Sequence, residues 1–326
     1  KNSLSLNYPK NKIRHLWITD GSDDGTPDLL EKYEGIEVSH LNERNGKIGA
    51  INRGMKLVNS PIVIFCDANT ELNSECINEI VNLFSNHRVG CVAGEKRIKQ
   101  INEDAAAGAG EGIYWKYESL LKKWDSELYS AVGAAGELFA IRTELFQEVE
   151  KDTLLDDFII SLRIAMRKYT IQYTANAYAT ETASANVKEE LKRKIRISAG
   201  GIQSIFRLKK LLNPFKYGVL SFQYLSHRVL RWTLTPLLLL LIIPTNIILV
   251  NKYGLQNPNI YSILLIGQIL FYLSAIIGWI LENMKIKFKA FFVPYYFFIM
   301  NLAVYLGFAR FLKGKQSVKW ERAKRG

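Results

Sequence analysis

The chain has 326 residues, 48% of them hydrophobic, and a formal net charge of +12 at pH 7. This length accommodates one large α/β domain with a smaller unit, and the apolar content excludes a disordered chain. The positive charge is compatible with nucleic acid as a partner, but no zinc-finger, RNA-recognition or helix-turn-helix signature accompanies it, so nucleic acid is not expected to bind.

The first half of the chain alternates strand-like and helix-like segments. Strands are predicted at residues 14–19, 36–40, 62–66 and 90–95, and helices follow a turn at 20–27 and cover 46–58 and 74–86. Such alternation indicates an α/β fold with a parallel sheet covered by helices. Ligands of these sheets bind beyond the carboxyl ends of the strands, where Asp20, Lys47, Asp67 and Asn69 are expected to converge.

The second half continues with helices predicted at 111–123 and 157–168, strands at 136–141 and 170–179, and a basic helix over 187–212. No glycine-rich dinucleotide fingerprint is present. A phosphate loop is also absent, because Leu41 occupies its first glycine position and Ile48 follows Lys47. A kinase, an ATPase and a dinucleotide oxidoreductase are therefore disfavoured.

Three apolar runs follow, at 229–250, 260–281 and 290–309, each near the ~20 residues that span a bilayer. A buried helical core is the alternative, but Trp, Tyr and Lys at the edges of the runs favour membrane segments. If all three spanned, the basic tail 312–326 would lie outside, against the positive-inside tendency. The third run, interrupted by Pro294 and Asn301, is the candidate for a re-entrant or interfacial segment, and 204–228 is predicted to lie on the membrane.

Basic residues concentrate before the apolar runs, as expected for a membrane-facing collar. They are Lys192, Arg193, Lys194, Arg196, Arg207, Lys209, Lys210, Arg228 and Arg231. The three cysteines, Cys66, Cys76 and Cys91, lack the spacing of a zinc site and are odd in number, so no disulfide framework is indicated and a reducing, cytosolic location fits.

Four short segments carry candidate chemistry. Asp67 and Asn69 follow an apolar strand and offer hard oxygen ligands for Mg²⁺ or Mn²⁺, although a capping turn would use the same residues. Asp156 and Asp157 begin a helix, either as its cap or with one of them as a general base. Lys47 stands on a glycine-flanked loop that is suited to a phosphate.

Arg193 and Arg196 lie three residues apart on one face of the basic helix. They are suited to hold a departing diphosphate, or they belong to the collar.

Taken in order, five motifs resemble the membrane-bound family 2 glycosyltransferases, the group of cellulose, hyaluronan and poly-N-acetylglucosamine synthases. They are Asp-Gly-Ser-x-Asp-Gly-Thr (20–26), Asn-Gly-Lys-x-Gly-Ala (45–50), Asp-Ala-Asn-Thr (67–70), Gly-x-x-Gly-x-x-x-Ala-Ile-Arg (133–142) and Asp-Asp-Phe (156–158). The resemblance implies a GT-A fold with a mixed sheet, a UDP-sugar donor, a divalent metal and inversion at the anomeric carbon.

By position in these motifs, the resemblance implies a role for each residue. Asp20 would lie near the nucleoside, Lys47 near the diphosphate, and Asp67 and Asn69 near the metal, and Asp157 would be the base. Gly133 and Gly136 would lie on the acceptor side.

The sequence departs from the pattern of this family at three places. The processive synthases carry Gln-x-x-Arg-Trp on the basic helix, whereas here only Arg196 matches, which leaves room for transfer to a short saccharide or lipid-linked acceptor. The metal motif is Asp-x-Asn instead of Asp-x-Asp. The strand that opens the family fold is not seen before Lys1, so residues are expected upstream.

The expected division is a cytosolic transferase domain (1–203), an amphipathic segment (204–228), membrane segments (229–311) and a basic tail (312–326). The rival readings are a catalytically idle relative that acts as a membrane partner, and a basic membrane protein that binds anionic lipid or nucleic acid. A polysaccharide export system would supply partner subunits, and the expected location is the inner membrane.

Overall fold

The structure is a computed structural model that describes residues 1–99, 106–182, 186–254, 259–284, 286 and 288–314. Its first sheet has two parallel strands, β1 (His15–Asp20) and β2 (Ile36–Leu41), with Asp20 opposite Leu41. Helix α1 (Thr26–Glu31) follows β1, and α2 (Gly46–Met55) follows β2. This strand and helix order agrees with the predicted alternation and places Asp20 and Gly46 at neighbouring ends.

The second sheet has five strands in the order β3, β6, β5, β7, β4. These are β3 (Ile62–Cys66), β4 (Glu71–Leu72), β5 (Val89–Lys99), β6 (Leu138–Arg142) and β7 (Thr170–Thr182). Only β5 and β7 pair in parallel, and the other three pairings are antiparallel. The expectation of a parallel sheet is therefore wrong here, and the mixed sheet implied by the family resemblance is confirmed. Alternating elements predict the order of strands and helices but not the direction in which a strand inserts.

Both faces of the five-stranded sheet are covered. Along β5, Cys91 and Ala93 belong to one buried cluster and Val92 to the other, because successive side chains of a strand point to opposite faces. Helix α3 (Cys76–Leu83) covers one face, whereas α5 (Asp156–Met166) packs on the other. The long helix α4 (Ala106–Leu128) runs between β5 and β6 in the chain.

The basic helix α6 (Val187–Arg207) begins where the Asn186 side chain accepts a hydrogen bond from the Glu189 amide. The predicted domain boundary at residue 203 falls inside this helix. Short elements follow: a 3₁₀ turn (Lys209–Leu212), α7 (Pro214–Tyr217), α8 (Val219–Tyr224), a π-helical turn (Leu225–Val229) and α9 (Leu230–Trp232). Phe206 near the end of α6, and Phe215 and Phe222 in the short elements, are exposed, whereas Leu211 is buried.

The three apolar runs form helices α10 (Leu234–Tyr253), α11 (Ile260–Asn283) and α12 (Lys289–Leu312). By length and composition each is able to cross a membrane, with mean hydropathies of 2.1, 2.2 and 1.6. The first run was expected to begin at residue 229, but residues 229–232 belong to the preceding turn and α9. Of the predicted basic tail, residues 315–326 lie outside the described residues.

Candidate active site

Four residues predicted to carry chemistry meet at the ends of α2, β3 and α5. The Lys47 Nζ atom is 2.9 Å from Asp67 Oδ1 and 3.6 Å from Asp156 Oδ2. A Cβ atom placed on Gly136 would be 3.1 Å from the same Nζ and 3.5 Å from Asp157 Oδ2. The structure therefore brings one lysine and three carboxylates together against the backbone of Gly136, and a side chain at that position would enter the space between them.

The charged groups in this cluster shift one another's pKa values. Burial lowers the pKa of Lys47, but the carboxylates of Asp156, Asp67 and Asp157 outweigh it and hold this pKa above its usual value. For Asp157, burial and the charge of Asp156 together raise the pKa to about 7, against the opposing effect of Lys47. Asp157 Oδ1 also accepts a hydrogen bond of 2.9 Å from the Phe158 amide. A carboxylate with a pKa near neutrality is suited to proton transfer.

Asp20 is fixed at the edge of this cluster by the first turn of α2. Its Oδ2 atom accepts a hydrogen bond of 2.6 Å from the Gly46 amide, and its Oδ1 atom is 3.8 Å from Arg53 Nη1. That Oδ1 atom is buried and has no hydrogen-bond partner among the described residues. Because buried carboxylate oxygens are normally satisfied, Asp20 retains one acceptor for a ligand.

The predicted metal ligands, Asp67 and Asn69, have different neighbours. Burial raises the pKa of Asp67, and Lys47 occupies one of its oxygens. The Asn69 side-chain amide donates instead to Glu181 Oε2 at 3.3 Å. Within the described ranges, no group of three or more His, Cys, Asp and Glu side chains could hold a metal ion. A cation at Asp67 would therefore need oxygens from a ligand such as a diphosphate, which is how Mg²⁺ is commonly held.

Sequence reasoning missed a second charged network beside the first. The buried Lys96 of β5 contacts Glu137 and Glu181, and Arg193 Nη1 is 3.5 Å from Glu181 Oε1. Lys96 outweighs the effect of burial and lowers the pKa of Glu137 to about 2. One signal was available in the sequence, since Glu137 is a charged residue inside a predicted strand. Arg193 is thus held by carboxylates, which fixes α6 beside the loop that carries Asn69.

Arg196, one helical turn after Arg193 on α6, feels the charge of Asp156 in the cluster. Burial and the charge of Arg310 lower its pKa, and the charge of Asp156 opposes them. The two arginines predicted to act together, Arg193 and Arg196, thus lie in different electrostatic surroundings.

Gly133 has a packing role in the structure. Its φ is +88°, and a Cβ atom there would lie only 2.3 Å from Cδ2 of Phe158. The Phe158 ring also contacts Trp232 edge-on, with centroids 5.4 Å apart. Gly133 therefore lets Phe158, the residue after Asp157, pack closely under the site.

Three residues expected in a lipid-facing collar face the protein instead. Arg228 Nη1 is 3.2 Å from the buried Glu118 Oε2, and Arg231 contacts the other oxygen of Glu118. Lys194 is also buried, with Nζ 3.6 Å from Glu190 Oε1. The collar prediction is wrong for these residues, because basic side chains beside an apolar run also serve as counter-ions for buried carboxylates.

Comparisons with known proteins show what this chain is similar to. Residues 2–150 match the model of the family described as Glycosyl transferase family 2. The beta-monoglucosyldiacylglycerol synthase of Nostoc sp. is 27% identical over 188 residues, which are 53% of this chain and 38% of that protein. The poly-beta-1,6-N-acetyl-D-glucosamine synthase of Staphylococcus epidermidis is 25% identical over 214 residues, or 63% of this chain and 50% of that protein. The chain thus spans half or less of the length of these two relatives.

Among solved structures, a mannosyltransferase from Pyrobaculum calidifontis, in complex with GDP-Man and Mn²⁺, resembles this chain with a TM-score of 0.68. The two sequences are 18% identical, and the alignment covers 96% of this chain and 82% of the mannosyltransferase chain. This likeness concerns the fold, and it confirms the expected GT-A architecture. The match to Glycosyl transferase family 2 covers residues 2–150, somewhat less than half of the chain, and this part of the chain is therefore similar to the family 2 glycosyltransferases.

Proposed function

We propose that this protein is an inverting glycosyltransferase that moves a sugar from a UDP-sugar to a saccharide or lipid-linked acceptor. The observation that supports it best is the meeting of Lys47, Asp67, Asp156 and Asp157 against Gly136. A cation, a carboxylate open to a metal and a carboxylate with a raised pKa are the groups that such a displacement requires.

On the donor side, the Asp20 Oδ1 atom, which has no hydrogen-bond partner among the described residues, suits an N–H group of the nucleoside base. Lys47 would meet the diphosphate, and Asp67, with Asn69 nearby in the chain, would hold Mg²⁺ or Mn²⁺. The donor set is compatible with such an ion, because Asp67 keeps a second carboxylate oxygen beyond the one that Lys47 contacts. When bound, the ion would neutralise charge that develops on the leaving diphosphate.

On the acceptor side, Asp157 would take the proton of the attacking hydroxyl group. The new bond forms between the acceptor oxygen and the anomeric carbon, while the bond from that carbon to the diphosphate oxygen breaks. Lys47 and Arg196 supply positive charge for the departing oxygens. A single displacement of this kind inverts the anomeric configuration. Gly136 would border the acceptor, and Gly133 would act through the packing of Phe158.

The acceptor class and the membrane location belong to this proposal. One relative is named for a glycolipid and the other for a polysaccharide, so both acceptor types enter the tests. The catalytic domain would lie on the cytosolic side of the inner membrane with the apolar helices in the bilayer. For a polysaccharide product, export subunits would be the partners.

The test is release of nucleoside diphosphate by the full chain in nanodiscs, with membrane extract as acceptor and with Mg²⁺ or Mn²⁺. The donor panel contains UDP-sugars and also GDP-mannose, since the structurally similar mannosyltransferase was solved with that donor. We expect metal-dependent release from one UDP-sugar, lost in Asp157→Asn. If GDP is released from GDP-mannose and UDP is released from none of the UDP-sugars, GDP-mannose would be the donor instead of a UDP-sugar. If folded protein releases nothing from any donor, the non-catalytic partner is the better reading.

A further inference from the structure

Helix α4 carries its polar residues on the buried side and large apolar residues on the exposed side. In a surface helix of a soluble protein the opposite holds, because charged residues face the water. Glu118, Lys122 and Ser126, each four residues after the last, are all buried. The exposed face carries Tyr117, Leu120, Trp124 and Leu128, which are 42–61% exposed. Their spacing of three or four residues places them on one side of the helix, away from the buried polar residues.

The exposed apolar face of α4 continues onto the segment that leads to the first apolar helix. Gln223 of α8 donates hydrogen bonds of 2.8 Å and 3.2 Å to the backbone and side-chain oxygens of Asp125, so α8 lies against the second half of α4. Phe222, the residue before Gln223, is 64% exposed, and Leu225 is exposed three residues later. An apolar surface that extends over two elements is larger than single scattered residues and indicates a docking surface.

Elements of the apolar region border this face on two sides. Near the start of α4, Tyr114 packs against a buried cluster of α12 side chains that includes Tyr296. Arg228 of the π-helical turn and Arg231 of α9 contact Glu118 of α4, just before α10 begins. By length and composition, α10 and α12 are each able to cross a membrane. The face therefore adjoins helices that meet lipid, and Trp and Tyr are the side chains that favour the boundary between lipid and water.

The charges around this face fit an anionic lipid surface. Lys209, Lys210 and Lys216 are exposed in the short elements after α6, next in the chain to the exposed Phe215. The sequence contains no Asp or Glu at residues 191–281. Lysine side chains at such a position extend their charge to lipid phosphates while their stems lie on apolar surface. A second copy of this chain fits less well, because it would bring lysines against lysines.

We propose that the exposed face of α4, together with Phe222 and Leu225, docks on the head-group region of the bilayer and holds the catalytic domain against the membrane. The proposal rests on the membrane location in the proposed function, and it extends that location to a helix that precedes all three apolar runs in the chain. In the docked position, Tyr117 and Trp124 would lie among the head groups, and Leu128 would reach the first part of the acyl chains.

The experiment measures the depth of a nitroxide label in the full chain, in nanodiscs that contain the anionic lipid phosphatidylglycerol. Cys66 is the exposed native thiol, whereas Cys76 and Cys91 are buried, so Cys66→Ser is the background. The label is attached in Leu128→Cys, and the control is Leu29→Cys, a similarly exposed leucine of α1. Accessibility to oxygen, which concentrates in lipid, is compared with accessibility to a water-soluble nickel chelate. We expect the label at position 128 to lie roughly 5–10 Å into the boundary between head groups and acyl chains, and the label at position 29 to lie in water.

A second measurement needs no label. Quenching of tryptophan fluorescence by brominated lipid should fall in Trp124→Phe and not in Trp17→Phe, which changes a residue of β1. A label at position 128 that lies in water, or quenching that is the same in Trp124→Phe as in wild type, would overturn the proposal. Dipolar broadening between labels at position 128 that persists in detergent would also overturn it, in favour of a second copy.

Release of nucleoside diphosphate is measured on the same nanodiscs, which separates this proposal from the proposed function. A label in lipid on a protein that releases nothing from any donor refutes the proposed function and leaves the docking in place. Release by a protein whose label at position 128 lies in water refutes the docking alone.

Discussion

The raised pKa of Asp157 predicts that this carboxylate destabilises the folded protein at neutral pH. Its folded pKa is about 7, against an ordinary value of 3.8. As pH rises from about 4 to 7, the unfolded chain releases this proton while the folded chain keeps it, so the free energy of unfolding falls. Well above pH 7 both states have lost the proton, and the free energy of unfolding falls no further. Asp157→Asn, which stays neutral at every pH, should remove this loss.

The size of the effect follows from the shift. Each pH unit corresponds to about 1.4 kcal/mol, so a shift of about three units sets an upper bound of about 4 kcal/mol. Asp157 is partly exposed and shares its charge with Asp156, so solvent screening reduces the value to about 2 kcal/mol. For a domain of this size, that raises the melting temperature by about 4–8 °C.

The assay is thermal unfolding of the detergent-solubilised full chain at pH 8 and pH 5, for wild type, Asp157→Asn and the control Asp28→Asn. Asp28 is exposed in the first turn of α1 and makes the same change in charge. We expect the gain of Asp157→Asn to appear at pH 8 and to shrink to about a third at pH 5. The same variant should lose transfer activity by about 10³-fold, because it removes the base. A gain that is equal at both pH values would refute the linkage argument.

Other substitutions test the surroundings of the site. Lys47→Gln should lower kcat/KM by about 10²-fold and move the acid limb of the pH profile upward, since Lys47 lowers the pKa of the base. Glu118→Gln should cost about 3 kcal/mol in a denaturation titration, because the buried Arg228 and the partly exposed Arg231 lose their counter-ion. Gly133→Ala should lower the free energy of unfolding by more than about 2 kcal/mol, because the new methyl group would overlap the Phe158 ring. The control is Gly25→Ala, which also has a positive φ but open space around it and should cost only about 1 kcal/mol.

The strands were predicted well where the residues within and beside the strand define its ends. β3 (Ile62–Cys66) matches its prediction at both ends, because an apolar run there is closed by Pro61 and Asp67. The two-residue strand β4 (Glu71–Leu72) was missed, since two residues carry no periodicity. β6 begins two residues later than predicted, because residues 136 and 137 form a turn before the strand.

The site shows the same division between local and long-range information. Lys47 and Asp67 were predicted to converge because each follows a strand end, and the structure brings them together. The pairing of Lys96 with Glu181 joins residues 85 positions apart, and nothing near either residue indicates the other. The position of Arg228 was misread for the same reason, because its partner Glu118 lies 110 positions earlier.

These long-range ion pairs determine how the catalytic domain and the apolar helices depend on each other. Glu118 of α4 holds Arg228 and Arg231 just before α10, so the start of the apolar region is tied to the catalytic core by buried charges. At the other end of the chain, Gly307 and Phe311 of α12 pack on α6, the helix that carries Arg193 and Arg196. A displacement of α12 would therefore change the field at Arg196 and, through Asp156, at Lys47. The apolar segment is in this sense part of the electrostatic environment of the active site.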